Sequence, residues 1–176
     1  MSDVAQLIAV IRAANEELEL LLRDRDHSQR LGAPSDPAPV SRMQQYFGRK
    51  GAAIPPSYLE FLRLHDGWKD FFGELNLVGA TDLESAWVRE VAQRSARHMG
   101  QDDPFQRGAP LALAPDSTSV MVMFDLDAVH NGEAEVVVYY QREEGERYPS
   151  FGDYLEAHAE RLLRLIDRQK HGDPTS

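Results

Sequence analysis

Six histidines and one close pair of aspartates are the residues of this chain best suited to chemistry. The histidines are scattered, and no two are separated by the i, i+4 step at which a helix presents two ligands to zinc. His65 and His158 lie on or beside apolar helical faces, which favours places in or beside the core. Asp125 and Asp127 share one face of a predicted strand, where they could hold a divalent cation, solvate the strand end or contact a partner. We predict no metal and no cofactor.

The common catalytic signatures are missing from the sequence. There is no cysteine, which excludes disulfides, thiolate metal sites and cysteine nucleophiles. Neither the G-x-S-x-G of serine hydrolases nor a glycine-rich phosphate loop occurs, and basic residues are not interleaved with aromatic ones as in nucleic-acid-binding proteins. We predict that the protein is not an enzyme and does not bind nucleic acid. An enzyme of another type would need a pocket of perturbed acids or histidines, which a sequence does not reveal.

The formal net charge of −10 is concentrated in one part of the chain. Residues 1–50 carry seven acidic and seven basic side chains, whereas residues 116–160 carry eleven acidic and two basic ones. Such an acidic region repels nucleic acid and attracts basic partners, although solubility alone also explains it. No apolar segment approaches the ~20 residues that span a membrane, and the N-terminus lacks the basic start of a signal peptide. We therefore predict a cytoplasmic protein that does not bind membranes.

The segment from Ile54 to Gly79 organises the predicted fold. Two prolines begin a helix, at positions where a missing N–H group costs nothing. The helix then presents one apolar face, formed by Tyr58, Phe61, Leu62 and His65. Gly67 supplies the left-handed residue that ends such a helix, and Leu75–Val78 alternates with the period of a strand.

An aromatic cluster, Trp68 with Phe71 and Phe72, follows the helix. One interpretation places it in the core. The other makes it a partly exposed anchor for a protein partner, because buried aromatic side chains dominate the energetics of interfaces.

This arrangement resembles the signature of the SUKH superfamily, a P-x-x-Y-x-x-F-L-x-x-x-x-G-W helix followed by a short strand. The matching residues are Pro55 or Pro56, Tyr58, Phe61, Leu62, Gly67 and Trp68. Phe151, Tyr154 and Leu155 mark an aromatic helix start like that of the family's C-terminal part, so the resemblance covers residues 41–166. The superfamily includes a fungal cell-wall assembly regulator and many bacterial immunity proteins that neutralise polymorphic toxins.

Further helices are predicted from apolar periodicity and capping residues. Residues 4–24 form an amphipathic helix that either covers the core or pairs with another chain. Residues 27–40, rich in proline, form an extended and mobile linker. Ser41 caps a second helix, and a capping box at Thr81–Glu84 begins another that runs to His98.

The strands are predicted from alternating apolar residues and turn signals. They lie at Pro110–Ala114, around Val120–Leu126 and around Val136–Gln141. Asn131–Gly132 indicates a turn inside a loop longer than a two-residue hairpin. Glu143–Glu146 indicates an acidic turn before a closing helix. Because strands cluster in hairpins, we predict an α+β fold that is SUKH-like, with a central antiparallel or mixed sheet flanked by helices and an extra N-terminal helix.

The predicted organisation has three parts. An N-terminal helix and proline-rich linker occupy residues 1–40, a SUKH-like α+β domain occupies residues 41–170, and a flexible tail occupies residues 171–176. The oligomeric state is left open.

The resemblance implies an immunity protein that binds a cognate bacterial toxin, of nuclease or deaminase type, and blocks its active site. An acidic surface would attract a basic toxin domain. The alternative is a scaffold or regulatory adaptor that binds an endogenous protein. The residues predicted to contact the partner are Trp68, Asp70, Asp125, Asp127, Glu133, Glu135, Glu143, Glu144 and Glu146.

Overall fold

A computed structural model describes residues 3–22, 29–141 and 143–171 of the chain. The chain divides into two compact units, one made of residues 1–28 and 152–176, the other of residues 29–151, which we call the sheet unit. The elements in chain order are α1 (Val4–Leu22), β1 (Arg30–Leu31), α2 (Pro37–Arg49), α3 (Pro56–Leu64), β2 (Trp68–Phe72), β3 (Leu75–Leu77), α4 (Ala86–Met99), α5 (Pro104–Arg107), β4 (Gly108–Ala114), β5 (Ser117–His130), β6 (Glu133–Tyr140), β7 (Glu143–Tyr148) and α6 (Phe151–His171). A 3-10 turn at Gly100–Asp102 joins α4 to α5.

The sheet unit contains one seven-stranded sheet in which every strand pairs with its neighbour in sequence. All six pairings are antiparallel, so the chain meanders from β1 to β7 without a crossover. Helices α2 to α5 flank this sheet, and an N-terminal helix is present. The predicted α+β class, with a central sheet flanked by helices and an N-terminal helix, is confirmed, and the sheet is antiparallel, not mixed.

Both faces of β5 are buried at Met121–Phe124, because the side chains alternate between two apolar layers. Phe124 lies on one face, with its ring centroid 6.1 Å from that of Phe47 in α2 and 5.1 Å from that of Tyr58 in α3. Met121 and Met123 lie on the other face and pack in one cluster with the α4 residues Val88 and Val91. Burying an apolar side chain of this size contributes about 1.5–3 kcal/mol, so these two layers hold the helices against the sheet.

The apolar face of α3 forms the centre of one layer. Tyr58, Phe61 and Leu62 have no measurable exposure, and the Tyr58 ring lies 5.5 Å from that of Phe151, centroid to centroid. The Tyr58 hydroxyl donates a hydrogen bond to the Val78 carbonyl oxygen, just after β3. The helix predicted from its period-3.6 pattern is therefore attached to the sheet by both packing and a buried hydrogen bond.

A tight corner follows α3 at Asp66–Gly67. Gly67 has a φ of +83°, and a Cβ atom there would lie 2.9 Å from the backbone nitrogen of Gly79. The Asp66 carboxylate accepts hydrogen bonds from the Ser35 hydroxyl, at 2.9 Å, and from the hydroxyl of Thr81. Because glycine alone combines a positive φ with so close an approach, this corner requires Gly67.

Two features of the segment before α3 differ from prediction. Helix α2 begins at Pro37, with Asp36 at its N-cap position, so Ser41 lies inside the helix instead of capping it. Arg30–Leu31 pairs with β2. Proline is tolerated in a first helical turn, so the composition typical of a linker here also fits a helix start. The predicted linker is therefore partly structured, and its first residues, 27 and 28, lie outside the described residues.

The prediction of a capping box at Thr81–Glu84 is also wrong. The hydroxyl of Ser85 caps α4 by accepting a hydrogen bond from the Val88 backbone nitrogen at 3.4 Å. Thr81 instead donates to Asp66. A tertiary partner thus competes successfully for the hydroxyl that the local pattern assigned to a cap.

Two predicted turns differ as well. Asn131 and Gly132, with φ of +55° and +85°, form a two-residue turn typical of type I′ hairpins. The prediction of a longer loop at this position is therefore wrong. Glu143–Glu146 forms part of the edge strand β7 instead of a turn. Charged side chains are common on edge strands, where they face solvent, so acidity did not exclude a strand there. A further strand, β2, precedes the one predicted at 75–78.

The smaller unit contains α1 and most of α6. Val4, Ile8 and Ile11 form the buried stripe of α1, as its periodicity predicts. An ion pair between Glu17 and Lys170 joins the C-terminal parts of the two helices. In the described part of the chain, no helix is long and apolar enough to cross a bilayer. The predicted tail, residues 171–176, lies outside the described residues after His171, and the division at residues 40 and 170 stays a prediction.

Candidate protein-binding site

Arg147 in β7 lies at the centre of a carboxylate cluster. Its Nη1 atom is 2.8 Å from a Glu135 carboxylate oxygen and 3.0 Å from an Asp125 carboxylate oxygen. Its Nε atom donates to the carboxylate of Glu144. Three adjacent strands, β5, β6 and β7, thus place three negative charges around one positive charge, and the cluster keeps a net negative charge.

The strand register explains why these four side chains meet. Asp125 lies directly opposite Glu135, and Arg147 lies opposite Val137, two residues further along β6. Residues opposite one another in antiparallel strands share a face, and so do residues two apart. Glu144 and Arg147 are three apart and would face opposite sides of a regular strand. An irregularity in the β6–β7 register brings both to this face.

The carboxylates also shift the ionisation of their neighbours. Hydrogen bonding to Glu144, followed by Glu135 and Asp125, raises the pKa of Arg147, so the guanidinium remains protonated. Burial raises the pKa of Tyr139, and the charges of Glu144 and Asp125 add to this shift. At neutral pH the phenol is therefore uncharged, and the negative potential comes from the carboxylates.

A cleft of about 390 Å³ opens beside the cluster. Helix α4, the 3-10 turn and α5 form one wall, and strands β5 to β7 form the other. It is lined by Met99, Gln101, Asp102, Asp103, Pro104, Arg107, Gly108, Met123, Phe124, Asp125, Asp127, Tyr139, Glu144 and Arg147. Five carboxylates and two guanidinium groups line one space, which therefore favours a cationic occupant.

Asp103 fixes the wall opposite the strands. It is 5% exposed, and its Oδ1 accepts hydrogen bonds from the Ser95 hydroxyl, at 2.7 Å, and from the Phe105 backbone nitrogen, at 3.3 Å. It thereby caps α5. Lys50 donates to the Phe105 carbonyl oxygen at 2.7 Å, and burial lowers the pKa of Lys50. These bonds give the wall a defined position next to the sheet.

Three of the predicted contact residues, Asp125, Asp127 and Glu144, line this cleft, and Glu135 contacts Arg147 from beside it. Asp127 is exposed on β5, and its backbone nitrogen donates to Asp125 at 3.1 Å. Glu143 and Glu146 are exposed on the edge strand β7. These six carboxylates all belong to β5, β6 and β7, so the charge asymmetry of the sequence becomes an acidic region on three neighbouring strands. Glu144 lies opposite Tyr139 and Glu143 opposite Tyr140, so the region extends over both sides of the edge strand β7.

Glu133 lies elsewhere and has a structural role. Its carboxylate accepts a hydrogen bond from the Ser57 backbone nitrogen, at 2.8 Å, and another from the Ser57 hydroxyl, at 2.7 Å. Ser57 is in the first turn of α3, where unpaired N–H groups and the helix dipole favour a carboxylate. Glu133 therefore caps α3 from a neighbouring strand, and a partner would have to compete for it.

The two predicted contact residues in β2 are separate from the carboxylate region. Trp68 is 1% exposed, with its ring 5.2 Å from that of Phe71, so it belongs to the core and offers no exposed anchor. Phe72 is the exposed member of the aromatic cluster, at 37%. Asp70 has a positive φ, and its backbone nitrogen is bound to the Asn76 side chain at 2.7 Å. Because β2 and β5 are not neighbours in the sheet, Asp70 is not grouped with the acidic strands.

The structure adds residues to the site that the sequence did not indicate, chiefly Asp102, Asp103, Tyr139 and Arg147. The sequence offered one weak signal, since Arg147 is one of two basic residues in the strongly acidic segment 116–160. The α4–α5 residues gave none, because they are remote from β5 in sequence. Within the described ranges, no group of three or more histidine, aspartate or glutamate side chains is arranged to hold a metal ion.

Comparison with known proteins gives the family of the chain. No curated protein gives a significant match. Residues 38–157, more than half of the chain, match the model of the SMI1 / KNR4 family (SUKH-1). The match includes α3, the Asp66–Gly67 corner and the acidic strands described above. The chain therefore belongs to the SMI1 / KNR4 family (SUKH-1), whose domains are broadly of the immunity and protein-binding type and generally non-catalytic.

Proposed function

We propose that the protein is a non-enzymatic immunity protein that binds a cognate bacterial toxin and blocks its active site. The observation that carries the proposal is the acidic region on β5–β7 of a domain of this family. It consists of Asp125, Asp127, Glu135, Glu143, Glu144 and Glu146. The cation Arg147 lies among these carboxylates and is paired with three of them.

The charge of this region favours a toxin that acts on nucleic acid. Nucleases and nucleic-acid deaminases have basic clefts that bind phosphates. A protein with clustered carboxylates reproduces the negative charge of the substrate and accelerates the encounter with such a cleft. The cytoplasm, where such a toxin would reach its nucleic acid, is the compartment that this function requires.

The direct test is survival during co-expression. The candidate toxins are any nuclease or deaminase domains found to be encoded near this gene in its native host, each expressed in a bacterial strain with or without the protein. We expect survival with one cognate toxin and death with unrelated ones. If the protein rescues none of them, and affinity capture from the native host returns only non-toxin proteins, the immunity function is wrong.

Charge reversal tests the assignment of the surface. In the test variant Asp127→Lys, Glu143→Lys and Glu146→Lys are combined, because these residues are exposed and do not hold Arg147. In the matched control Glu74→Lys, Glu90→Lys and Asp116→Lys are combined, which changes the net charge equally at exposed positions outside the acidic strands. We expect the test variant to bind the toxin at least tenfold more weakly and the control to bind it normally. Equal affinities would exclude this surface.

A further inference from the structure

We propose that the cleft between α4–α5 and the acidic strands receives one arginine side chain of the partner protein. This inference rests on the proposed function and specifies its contact. It also adds a second wall to the binding surface, since Asp102 and Asp103 precede α5 and lie outside the acidic strands.

The volume and the lining of the cleft suit a long side chain with a flat, charged end. Its volume of about 390 Å³ lies within the range of about 300–1,000 Å³ that is usual for ligand pockets. Met123 contributes apolar atoms to the lining, and the half-buried Tyr139 contributes an aromatic ring. An arginine side chain has a methylene stem that packs on apolar atoms and a planar head that stacks on aromatic rings.

The charges of the lining select a cation. Five carboxylates, from Asp102, Asp103, Asp125, Asp127 and Glu144, face two guanidinium groups, from Arg107 and Arg147. The lining therefore carries an excess of three negative charges. An anionic ligand such as a phosphate would be repelled by this excess, whereas a cation would be attracted.

The protein itself shows which cation the carboxylates accommodate. Arg147 engages Asp125, Glu135 and Glu144 with both its Nη1 and Nε atoms, so the strands already position oxygens around one guanidinium group. Asp102 and Asp127 are exposed members of the lining on the two opposite walls. A guanidinium group, with five donors in a plane, can contact carboxylates on both walls, whereas an ammonium group acts as a point charge.

The test uses N-acetyl-L-arginine amide as the probe and the full-length, isotopically labelled protein. In a low-salt buffer, NMR titration should give saturable shifts of backbone amides that line the cleft, including Asp102, Gly108, Asp125 and Tyr139. N-acetyl-L-citrulline amide, which has the same shape without the charge, should give shifts at least fivefold smaller at equal concentration. Equal shifts with both probes, shifts confined to other surfaces, or the absence of saturable shifts would overturn the proposal.

Paired variants complete the test. Combining Asp102→Asn with Asp127→Asn should weaken binding of the arginine probe at least threefold, while the amide spectrum elsewhere shows that the fold is intact. The control combines Glu74→Gln with Asp116→Asn at exposed positions outside the lining and should bind the probe normally. Unchanged affinity in the first variant would contradict the assigned cleft.

The outcome is separable from that of the proposed function. If the arginine probe binds in the cleft but no toxin is neutralised, the cleft assignment stands and the immunity function fails. If a toxin is neutralised, each arginine on its surface is replaced in turn, and binding is measured to the wild-type protein and to the Asp102→Asn, Asp127→Asn variant. If no replacement weakens binding to the wild type more than binding to the variant, the immunity function stands and the arginine contact fails.

Discussion

Individual side chains in this protein connect layers that are distant in sequence. Tyr58 packs against Phe124 and Phe151 and donates its hydroxyl proton to the Val78 carbonyl oxygen. Burial raises its pKa, and the charges of Asp66 and Asp82 add to that shift, so the phenol stays protonated and able to donate at neutral pH. Hydrophobic packing positions the ring, and the hydrogen bond satisfies a polar atom that the packing has removed from water.

Replacing Tyr58 by phenylalanine should separate these two contributions. The ring contacts remain, but the Val78 carbonyl loses its hydroxyl donor, so we expect the free energy of unfolding to fall by about 1–2 kcal/mol. Urea denaturation followed by circular dichroism measures this change. Tyr46→Phe, at a half-buried ring beside Phe47, serves as the control and should cost less than about 0.5 kcal/mol. Equal losses in both variants would contradict a role for the Tyr58 hydroxyl.

His158 makes stability depend on pH. It is 3% exposed and its ring stacks with that of Tyr154 at 6.4 Å, and burial, followed by the charge of Arg161, lowers its pKa from 6.5 to about 3. The unfolded chain therefore binds a proton on this residue at pH values where the folded chain does not. The stabilisation is complete above pH 6.5 and is lost as the pH falls from 6.5 towards 3.

We expect His158→Gln to reduce this pH dependence. The useful interval runs from pH 6.5 down to about pH 5, above the main titration of carboxylates. As the pH falls through it, the unfolding free energy of the wild type should decrease more steeply than that of the variant, by a difference in slope that approaches about 1.4 kcal/mol per pH unit. The difference between their unfolding free energies across this interval, from urea melts, isolates the histidine. Parallel curves would show that folding does not lower the pKa of His158.

At the scale of elements, corners and register shifts decide where side chains meet. The Asp66–Gly67 corner turns the chain from α3 into β2, and the β6–β7 irregularity brings Glu144 and Arg147 to one face. Glu133 caps α3 from the start of β6. In each case a short stretch of backbone holds a geometry that regular helices and strands do not provide.

Two glycines distinguish backbone strain from close approach. Gly51 and Gly67 have similar φ values, +78° and +83°, but a Cβ at Gly51 would meet nothing within 4 Å, whereas one at Gly67 would lie 2.9 Å from backbone atoms. Gly51→Ala should cost about 1–2 kcal/mol through the left-handed backbone alone. Gly67→Ala should cost more, on the order of 4 kcal/mol, because the backbone at Gly79 must also move. Equal losses in thermal or urea unfolding would show that the corner relaxes freely.

At the scale of the whole molecule, the charge distribution matters more than any single carboxylate. The chain carries a net charge of −10, and seven acidic side chains, Glu133 included, lie on β5–β7 of the sheet unit. Clustered charge creates a potential that extends about 8–10 Å at physiological ionic strength. Such a potential acts on the rate of encounter with a basic partner before short-range contacts form.

The association rate with the cognate toxin should therefore depend strongly on salt. We expect the rate constant, measured by stopped-flow fluorescence, to fall at least tenfold between low and physiological ionic strength, while the dissociation rate changes little. The Asp127→Lys, Glu143→Lys, Glu146→Lys variant should show a slower association and a flatter salt dependence. A wild-type rate that does not change with salt would be inconsistent with electrostatic steering.

Local patterns were sufficient for much of this protein. The spacing of Tyr58, Phe61 and Leu62 predicted α3 and its buried face, and alternating apolar residues predicted β5 and β6. Both patterns can be recognised because the periods of helices and strands involve only residues that are close in sequence. The same residues carried the resemblance to the family, which the match over residues 38–157 confirms. The excess of acid at residues 116–160 was also visible, although composition does not say which face carries it.

Only the tertiary structure decided which side chains share a site. Trp68 could be an anchor or a core residue until its burial was known, and Glu133 belongs to a helix cap because α3, remote in sequence, reaches it. Asp103 joins the cleft through packing between α5 and β5, and Glu144 through an irregular register. Contacts between distant segments depend on how the whole chain packs, and that information does not lie in any local stretch of residues.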